Sequence, residues 1–509
     1  MKKKTWLTLI GLSIVLFFFS FTIGQFKPPI PKAWDIQQLK SMHLPYPDTS
    51  AKLGFVTEEY YNQIPVRVSY KSYPFFMPGK EPKQYYDSLA KLEPVINFRE
   101  EDLQTEDDWL KAGELMYELP MNFIPLDSQM LATLPAIAER WQSVGIQANK
   151  KGIIPFVVIS VRRKGKPELG IESCSMCHTK QMPDDQLFKG AQGNFTADRF
   201  RNIITTSLPN WQNATPEVRM QRFYDFVKSL YYTPWVNNAY QETHTKLKPE
   251  DLPTAIYGIL PGLQTRNNAS FNHPVSIPDL YHLKERKYLD KSGHNLNRGI
   301  EDIMRYAALN QNMNMSSSYN DYIPDPVPPN PADYKRGRFS DVQLYALAKF
   351  LYSIKTPENP EKFPAGLLKK GKEIFIEQGC VSCHTPPLYT NNKLTPVDGF
   401  EPPDDHLKTY SIFNISIGTD PGLSLYTRRG SGYYKIPSLI GAWNRTGFLH
   451  DGYLANLEDL FDSTRFSSTY IPTYFKPIGV KQMAVPGHPF GMTLKADEKN
   501  ALVAFIKSL

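Results

Sequence analysis

The chain has 509 residues, 41% apolar and 21% charged, which excludes a disordered or low-complexity protein and leaves room for two or three ordinary domains. Its formal charge is only +7, and Lys and Arg are scattered, not gathered into a stripe, which excludes nucleic acid as the expected partner. At the start, Lys2, Lys3 and Lys4 precede an apolar run from Trp6 to Ile23. Basic residues followed by an apolar stretch near the ~20 residues needed to span a bilayer make residues 1–26 a signal peptide or a membrane anchor. No clean small-x-small cleavage site follows, so both readings stay open, with the rest of the chain expected outside the cytoplasm in either case. Pro28, Pro29 and Pro31 then give residues 27–34 the character of an extended tether. The remainder of an N-terminal elaboration runs to residue 165. Residues 35–100 are mixed. Apolar periodicity predicts helices near 105–118 and 131–142, and the β-branched run at 153–161 predicts a strand.

The four cysteines come next. Cys174-Ser-Met-Cys177-His178 and Cys380-Val-Ser-Cys383-His384 are two complete Cys-x-x-Cys-His motifs, and no cysteine is left over. A Cys-x-x-Cys pair alone is also compatible with a thiol redox couple, half a zinc site or a disulfide framework. Two full motifs behind an export-type N-terminus favour two covalent c-type haems. In each, two thiols add across the vinyl groups and the adjacent histidine, His178 or His384, becomes the proximal iron ligand.

Around these motifs the sequence repeats. Ile277-Pro278-Asp279-Leu280 and Ile300-Glu301-Asp302-Ile303 in the first half correspond to Ile436-Pro437-Ser438-Leu439 and Leu457-Glu458-Asp459-Leu460 in the second. Each half closes on an amphipathic helix, 346–354 and 501–509. The closing helices are offset by 155 residues (501 − 346) and the motif histidines by 206 (384 − 178), so the first unit carries roughly 50 extra residues. That insert is expected to cover the outer face of the first haem. The expected fold is mostly α: two class I cytochrome c-like haem domains, 166–354 and 368–509, joined by a Pro-rich linker at 355–367. Five prolines exclude a helix over 321–335.

The sixth ligand separates electron transfer from reaction with peroxide or dioxygen. For the second iron the candidate is His488, between Gly487 and Pro489 just before the closing helix, with Met483 and Met492 as rivals. His450, in Phe448-Leu449-His450-Asp451-Gly452, either caps a turn or contacts a haem propionate. The matching stretch of the first unit, 325–341, has neither His nor Met, which argues for an open first iron. His244, His273, His282 and His294 are the alternatives to that opening. Trp235 is a candidate for lining a dry distal pocket, and Glu242 and Glu285 are candidate proton-handling acids.

These motifs resemble the di-haem cytochrome c peroxidase superfamily, which includes bacterial di-haem peroxidases, the di-haem enzymes that mature a tryptophan-derived quinone, and the di-haem rubber oxygenases. The resemblance rests on Gly371-Lys372-Glu373-Ile374-Phe375, Lys435 to Leu439, Phe448 to Gly452, Leu457 to Leu460 and the terminal helix. It covers 370–509 well and 170–354 loosely. It implies an N-terminal haem that reacts with peroxide or dioxygen and a C-terminal haem that relays electrons. Peroxidases of the group often block the reactive iron with a histidine soon after the first motif, and this chain has none between His178 and His244. Its length, insert and His488 look more like the rubber-oxygenase branch, where the second haem is bis-histidine. Calcium between the domains, present in some relatives, enters as a candidate second cofactor. The leading expectation is therefore an exported di-haem oxidoreductase, a peroxidase or haem-dependent oxygenase. Its electrons would come from a small redox protein or a membrane chain that docks on a basic surface. The rival is a non-enzymatic electron carrier or a cytochrome subunit of a respiratory complex; a haem-based sensor would need a signalling domain, and none is apparent.

Overall fold

In a computed structural model the described residues are 28–236, 258–265 and 272–509. The apolar run at 6–23, Glu242 and His244 lie outside them. Among the described residues no helix is long and apolar enough to cross a membrane.

The N-terminal part is built on a four-stranded antiparallel sheet. Its strands are β1 (Ser72–Phe76), β2 (Asn122–Pro125), β3 (Ile153–Val161) and β4 (Pro167–Ile171), in the order β1-β3-β4-β2. The predicted strand at 153–161 is β3. Its β-branched residues suit a pleated surface, and Ile154, Val157, Ile159 and Val161 are buried. Helix α1 spans Glu106–Glu118 and α2 spans Ser128–Ser143. The second starts before the predicted 131 because the Asp127 carboxylate accepts from Met130 N at 2.8 Å and caps it. Trp141 of α2 stacks on Phe200, and with Phe75, Leu134 and Ile159 they form one core cluster. The sheet has a direct consequence for the site. β4 ends at Ile171, and two residues later Ser173 caps the short helix α3 (Cys174–His178), its hydroxyl accepting from Met176 N. The first Cys-x-x-Cys-His motif is thus held at the rim of the sheet.

Beyond α3 come α4 (Ala197–Ser207), α5 (Ile300–Ala308) and α6 (Asp341–Ser353), then α7 (Ala365–Glu377) and, at the C-terminus, α8 (Ala496–Lys507). The closing helices α6 and α8 begin five residues earlier than their predicted starts, 346 and 501. Ser340 opens α6 with a reciprocal capping box to Gln343. Pairing of these helices repeats in detail. α1 crosses α6 where a Cβ on Gly113 would overlap the carbonyl oxygen of Ala346 and the Phe350 side chain. α7 crosses α8 where a Cβ on Gly371 would overlap the carbonyl oxygen of Ala501 and the Phe505 side chain. Only glycine permits either approach. The sequence division at 166 assigned α1 to the N-terminal elaboration; in space α1 packs on the closing helix of the first unit, and the sheet strands β2, β3 and β4 fall between that helix and its motif. The proline-rich stretch 321–335 has one 3₁₀ turn, Pro331–Asp333, and no α-helix.

Candidate functional site

His178, Cys174 and Cys177 stand on the wall of one cavity, with about 1500 Å³ of empty space including its mouth. His178 Nδ1 lies 3.0 Å from the carbonyl oxygen of Pro278, and burial pushes its pKa down to about 4. The ring is therefore a neutral imidazole at neutral pH. With Nδ1–H donating to the carbonyl, Nε2 keeps the lone pair that a metal needs. Much of the cavity wall is apolar: Leu280, Leu283, Leu289, Ile303, Leu347 and Leu351. The same wall carries Arg286, Lys291, Arg429 and Lys435 with two carboxylates, Asp279 and Asp290. Burial pushes Lys291 down to about 8 and Lys435 to about 7, the neighbouring cations adding to the effect. Two lysines held that far from water are short of negative charge. Two thiols and an imidazole, an apolar slot and a surplus of buried cations fit a porphyrin with anionic carboxylates.

The second motif is built differently. His384 Nδ1 lies 3.1 Å from the Tyr389 carbonyl oxygen, and the Pro437 carbonyl is also near. Pro437 is the repeat partner of Pro278, so the two motif histidines are oriented alike. Facing His384 is His488, with ring centroids 6.5 Å apart. Two metal–imidazole bonds of about 2 Å, plus ~1 Å from each nitrogen to its ring centre, span ~6 Å, so a single iron fits between them. Burial pushes His384 to about 4 and His488 to about 3, again neutral imidazoles. His488 has φ 52°, in the left-handed region, so its backbone is held against its own preference. Arg465 is the holder. Its guanidinium, fully buried, donates to the carbonyl oxygens of Val485 at 2.5 Å, Gly487 at 2.7 Å and His488 at 2.9 Å.

Among the described residues, no second imidazole lines the cavity at His178. Its wall carries Tyr306, Asn310, Gln311 and Phe339, and among the described lining residues the one further metal-ligating sulfur is the thioether of Met121. Phe339 comes from the stretch before α6, as His488 comes from the stretch before α8, but the 155-residue offset of the closing helices pairs His488 with Asp333 and Phe339 with Leu494. The Phe339 backbone N–H donates to Gln311 Oε1 at 2.7 Å. Tyr306 donates to Asp290 and accepts from Arg429 at 3.0 Å.

The other sequence candidates lie elsewhere. Trp235 packs on Tyr46 and Tyr319 and is not among the residues around His178. His294 is buried against His43 and Tyr46 in a separate small pocket. His282 opens a 3₁₀ turn in the left-handed conformation, and Glu285 at the end of that turn is exposed. Met483 packs against the core cluster that includes Tyr453 and Phe475. His450 neither caps a turn nor reaches this cavity: its ring stacks on Tyr434 at 4.1 Å, with Nε2 3.1 Å from Asp451 Oδ2. Sequence reasoning missed Arg286, Lys291, Lys435, Arg465 and Met121. A lysine directly before the repeat motif Ile436-Pro437-Ser438-Leu439, Lys435, was the one available signal.

No family model matches the chain, and no curated protein sequence matches it. Among solved structures, hydrazine synthase of Kuenenia stuttgartiensis matches at 14% identity over 57% of this chain and 87% of its own, with a TM-score of 0.29. A MauG-like protein associated with microbial copper homeostasis matches at 19% identity over 33% of this chain and 56% of its own, with a TM-score of 0.21.

Proposed function

We propose that the chain is an exported di-haem c-type oxidoreductase, with a reactive first site at Cys174, Cys177 and His178 and an electron-transfer site at Cys380, Cys383, His384 and His488. The observation that carries this reading is the asymmetry between the motif histidines: His488 faces His384, whereas among the described residues no second imidazole lines the cavity at His178. Bound haem would supply an iron that exchanges electrons and, where a position is open, takes up peroxide or dioxygen. The chain's own residues do the rest. Pro278 and Tyr389 fix the tautomers of the two proximal rings. Arg286, Lys291 and Lys435 hold anionic carboxylates. Tyr306, tied to Asp290 and Arg429, brings a hydroxyl to the reactive cavity. The Lys-rich apolar N-terminus supports export, and the electron donor is a small redox protein or a membrane chain.

Resonance Raman spectroscopy of the purified protein, oxidised and reduced, tests the asymmetry. One high-spin haem that shifts with carbon monoxide or peroxide, beside one low-spin haem that does not, is the expected result. Two low-spin haems unchanged by either ligand would overturn the enzyme reading. Met121 gives the electron-carrier reading its own observation, because its thioether is on the same wall. A Met121→Leu variant separates the two: it leaves the first haem's spin state unchanged if the site is open, and converts it to high spin if Met121 is the ligand.

A further inference from the structure

A second group of ligating side chains lies outside both motif sites. His450, Asp451 and Asp420 bring one imidazole nitrogen and two carboxylate oxygens to within 4.8 Å of one another. His450 Nε2 is 3.1 Å from Asp451 Oδ2 and 3.8 Å from Asp420 Oδ1. A fourth donor, His273 Nδ1, is 3.9 Å from the same Asp420 oxygen. The side chains of His450 and Asp451 are only 6% and 0% exposed. Neither ring nitrogen of His450, nor Asp451 Oδ2, meets hydrogen-bond geometry with any partner. Buried polar atoms left in that state cost about 1–3 kcal/mol each, so they call for a ligand that the protein itself does not provide.

The arrangement is also stiff. Tyr434 stacks on the His450 ring, and the His450 carbonyl accepts from Ser276 N at 2.8 Å. Gly422 N donates to Asp420 Oδ1 at 2.9 Å, and a Cβ on Gly422 would overlap the His273 ring. Donors around one ion with bonds of about 2.0–2.2 Å lie about 3–4.4 Å apart, the range observed here. Mixed imidazole and carboxylate donors suit a first-row divalent ion; calcium prefers oxygen alone.

We propose that His450, Asp451 and Asp420, with His273 as the fourth donor, form a binding site for a divalent transition-metal ion such as zinc. His273 comes from the first repeat unit and the other three from the second, so the ion would clip the units together. Its burial suits a structural role. The proposal does not depend on the haem reading.

The test uses the full chain, stripped with a chelator and then given zinc alone. Zinc per chain is measured by mass spectrometry after desalting, and its surroundings by X-ray absorption at the zinc edge, where iron does not interfere. One zinc per chain with nitrogen and oxygen neighbours is expected, together with a rise in melting temperature. Asp451→Asn, His450→Gln and the part-exposed Asp420→Asn should each weaken retention at least tenfold. Near-ultraviolet circular dichroism of the metal-free variants identifies those that fold, and Asp420→Asn, which keeps an oxygen for Gly422 N, is the least disruptive. Failure to retain zinc, or equal retention by the wild type and every folded variant, would overturn the site.

Discussion

The two repeat units share their scaffolding and differ where a ligand would meet the iron. Both cross a pair of helices at a glycine, Gly113 over Ala346 and Gly371 over Ala501. Both hold a motif histidine through a backbone carbonyl, with Pro278 and Pro437 in matching places. Around the histidine they part: in the second unit His488 faces it, whereas the described lining of the first cavity includes Phe339 and Gln311. Helix crossings and proximal orientation are conditions for holding any cofactor of this shape, so both units keep them.

The sharpest way to break that contrast is to erase it. On the proposed di-haem reading, His488→Ala should convert the second haem wholly from low to high spin and let it bind carbon monoxide, so that the two units become spectroscopically alike. A second haem that stays low-spin would give its ligation to another residue.

The next contrast is at the residue after the proline that the two repeats share. In the first unit it is Asp279, in the second Ser438. Burial alone would raise the pKa of Asp279, but Arg286 and Arg445 outweigh it and hold the carboxyl well below its usual range. Asp279→Asn leaves the buried Arg286 and the part-buried Arg445 uncompensated and should cost about 3–5 kcal/mol at pH 7. Ser438 donates only to the Leu388 carbonyl, at 2.6 Å, so Ser438→Ala should cost about 1 kcal/mol. The sign of the pH dependence follows from the depressed folded pKa. The carboxylate stabilises the fold above its unfolded value of about 3.9, and this contribution is lost as pH falls below that value toward the folded one. Urea unfolding should therefore show the gap between wild type and Asp279→Asn narrowing from pH 7 to pH 3. A gap independent of pH would mean that shape, not charge, sets the cost.

The helix crossings should respond alike. Gly113→Ala and Gly371→Ala each push a methyl into a backbone carbonyl, which cannot rotate away, and each should destabilise by about 1–3 kcal/mol. Thermal melts of the two variants test whether the units are mechanically equivalent.

How far this could be read from the sequence follows the range of each interaction. The motifs, the Ile-Pro repeat and the helices at 105–118 and 131–142 depend on local spacing, and all were visible. His488 was visible too, because a histidine between glycine and proline before a closing helix has few other uses. The kinship of α1 and α6 was hidden. Cys174 follows Gly113 by 61 residues (174 − 113), whereas Cys380 follows Gly371 by nine (380 − 371). The strands inserted in the first unit break the local pattern that identifies the second. Lys291 and Lys435 were hidden for another reason: a lysine in a sequence looks solvent-facing, and only tertiary packing seals these two beneath the repeat motifs. His450 was recognised as important, but its neighbour Asp420 is 30 residues away (450 − 420), so the cluster they form had no local signature.

The smallest effect should come from Arg465, which touches no iron and acts only through the loop that carries His488. Its planar fork reaches four carbonyls at once, those of Leu460, Val485, Gly487 and His488, and lysine cannot reproduce that geometry although it keeps the charge. Arg465→Lys should therefore leave the resting second haem low-spin while freeing His488 to swing away more often. In the reduced protein this would appear as carbon monoxide binding at the second haem, rising from none to a measurable fraction, while the first haem's binding stays as it was. The left-handed backbone at His488 gives the reason: a residue held at φ 52° relaxes once its restraint weakens. Unchanged carbon monoxide binding in Arg465→Lys, alongside a real increase in His488→Ala, would mean that Gly487 and Pro489 fix the loop without the guanidinium. The difference between the units would then reside in the loop's own sequence, not in the arginine beneath it.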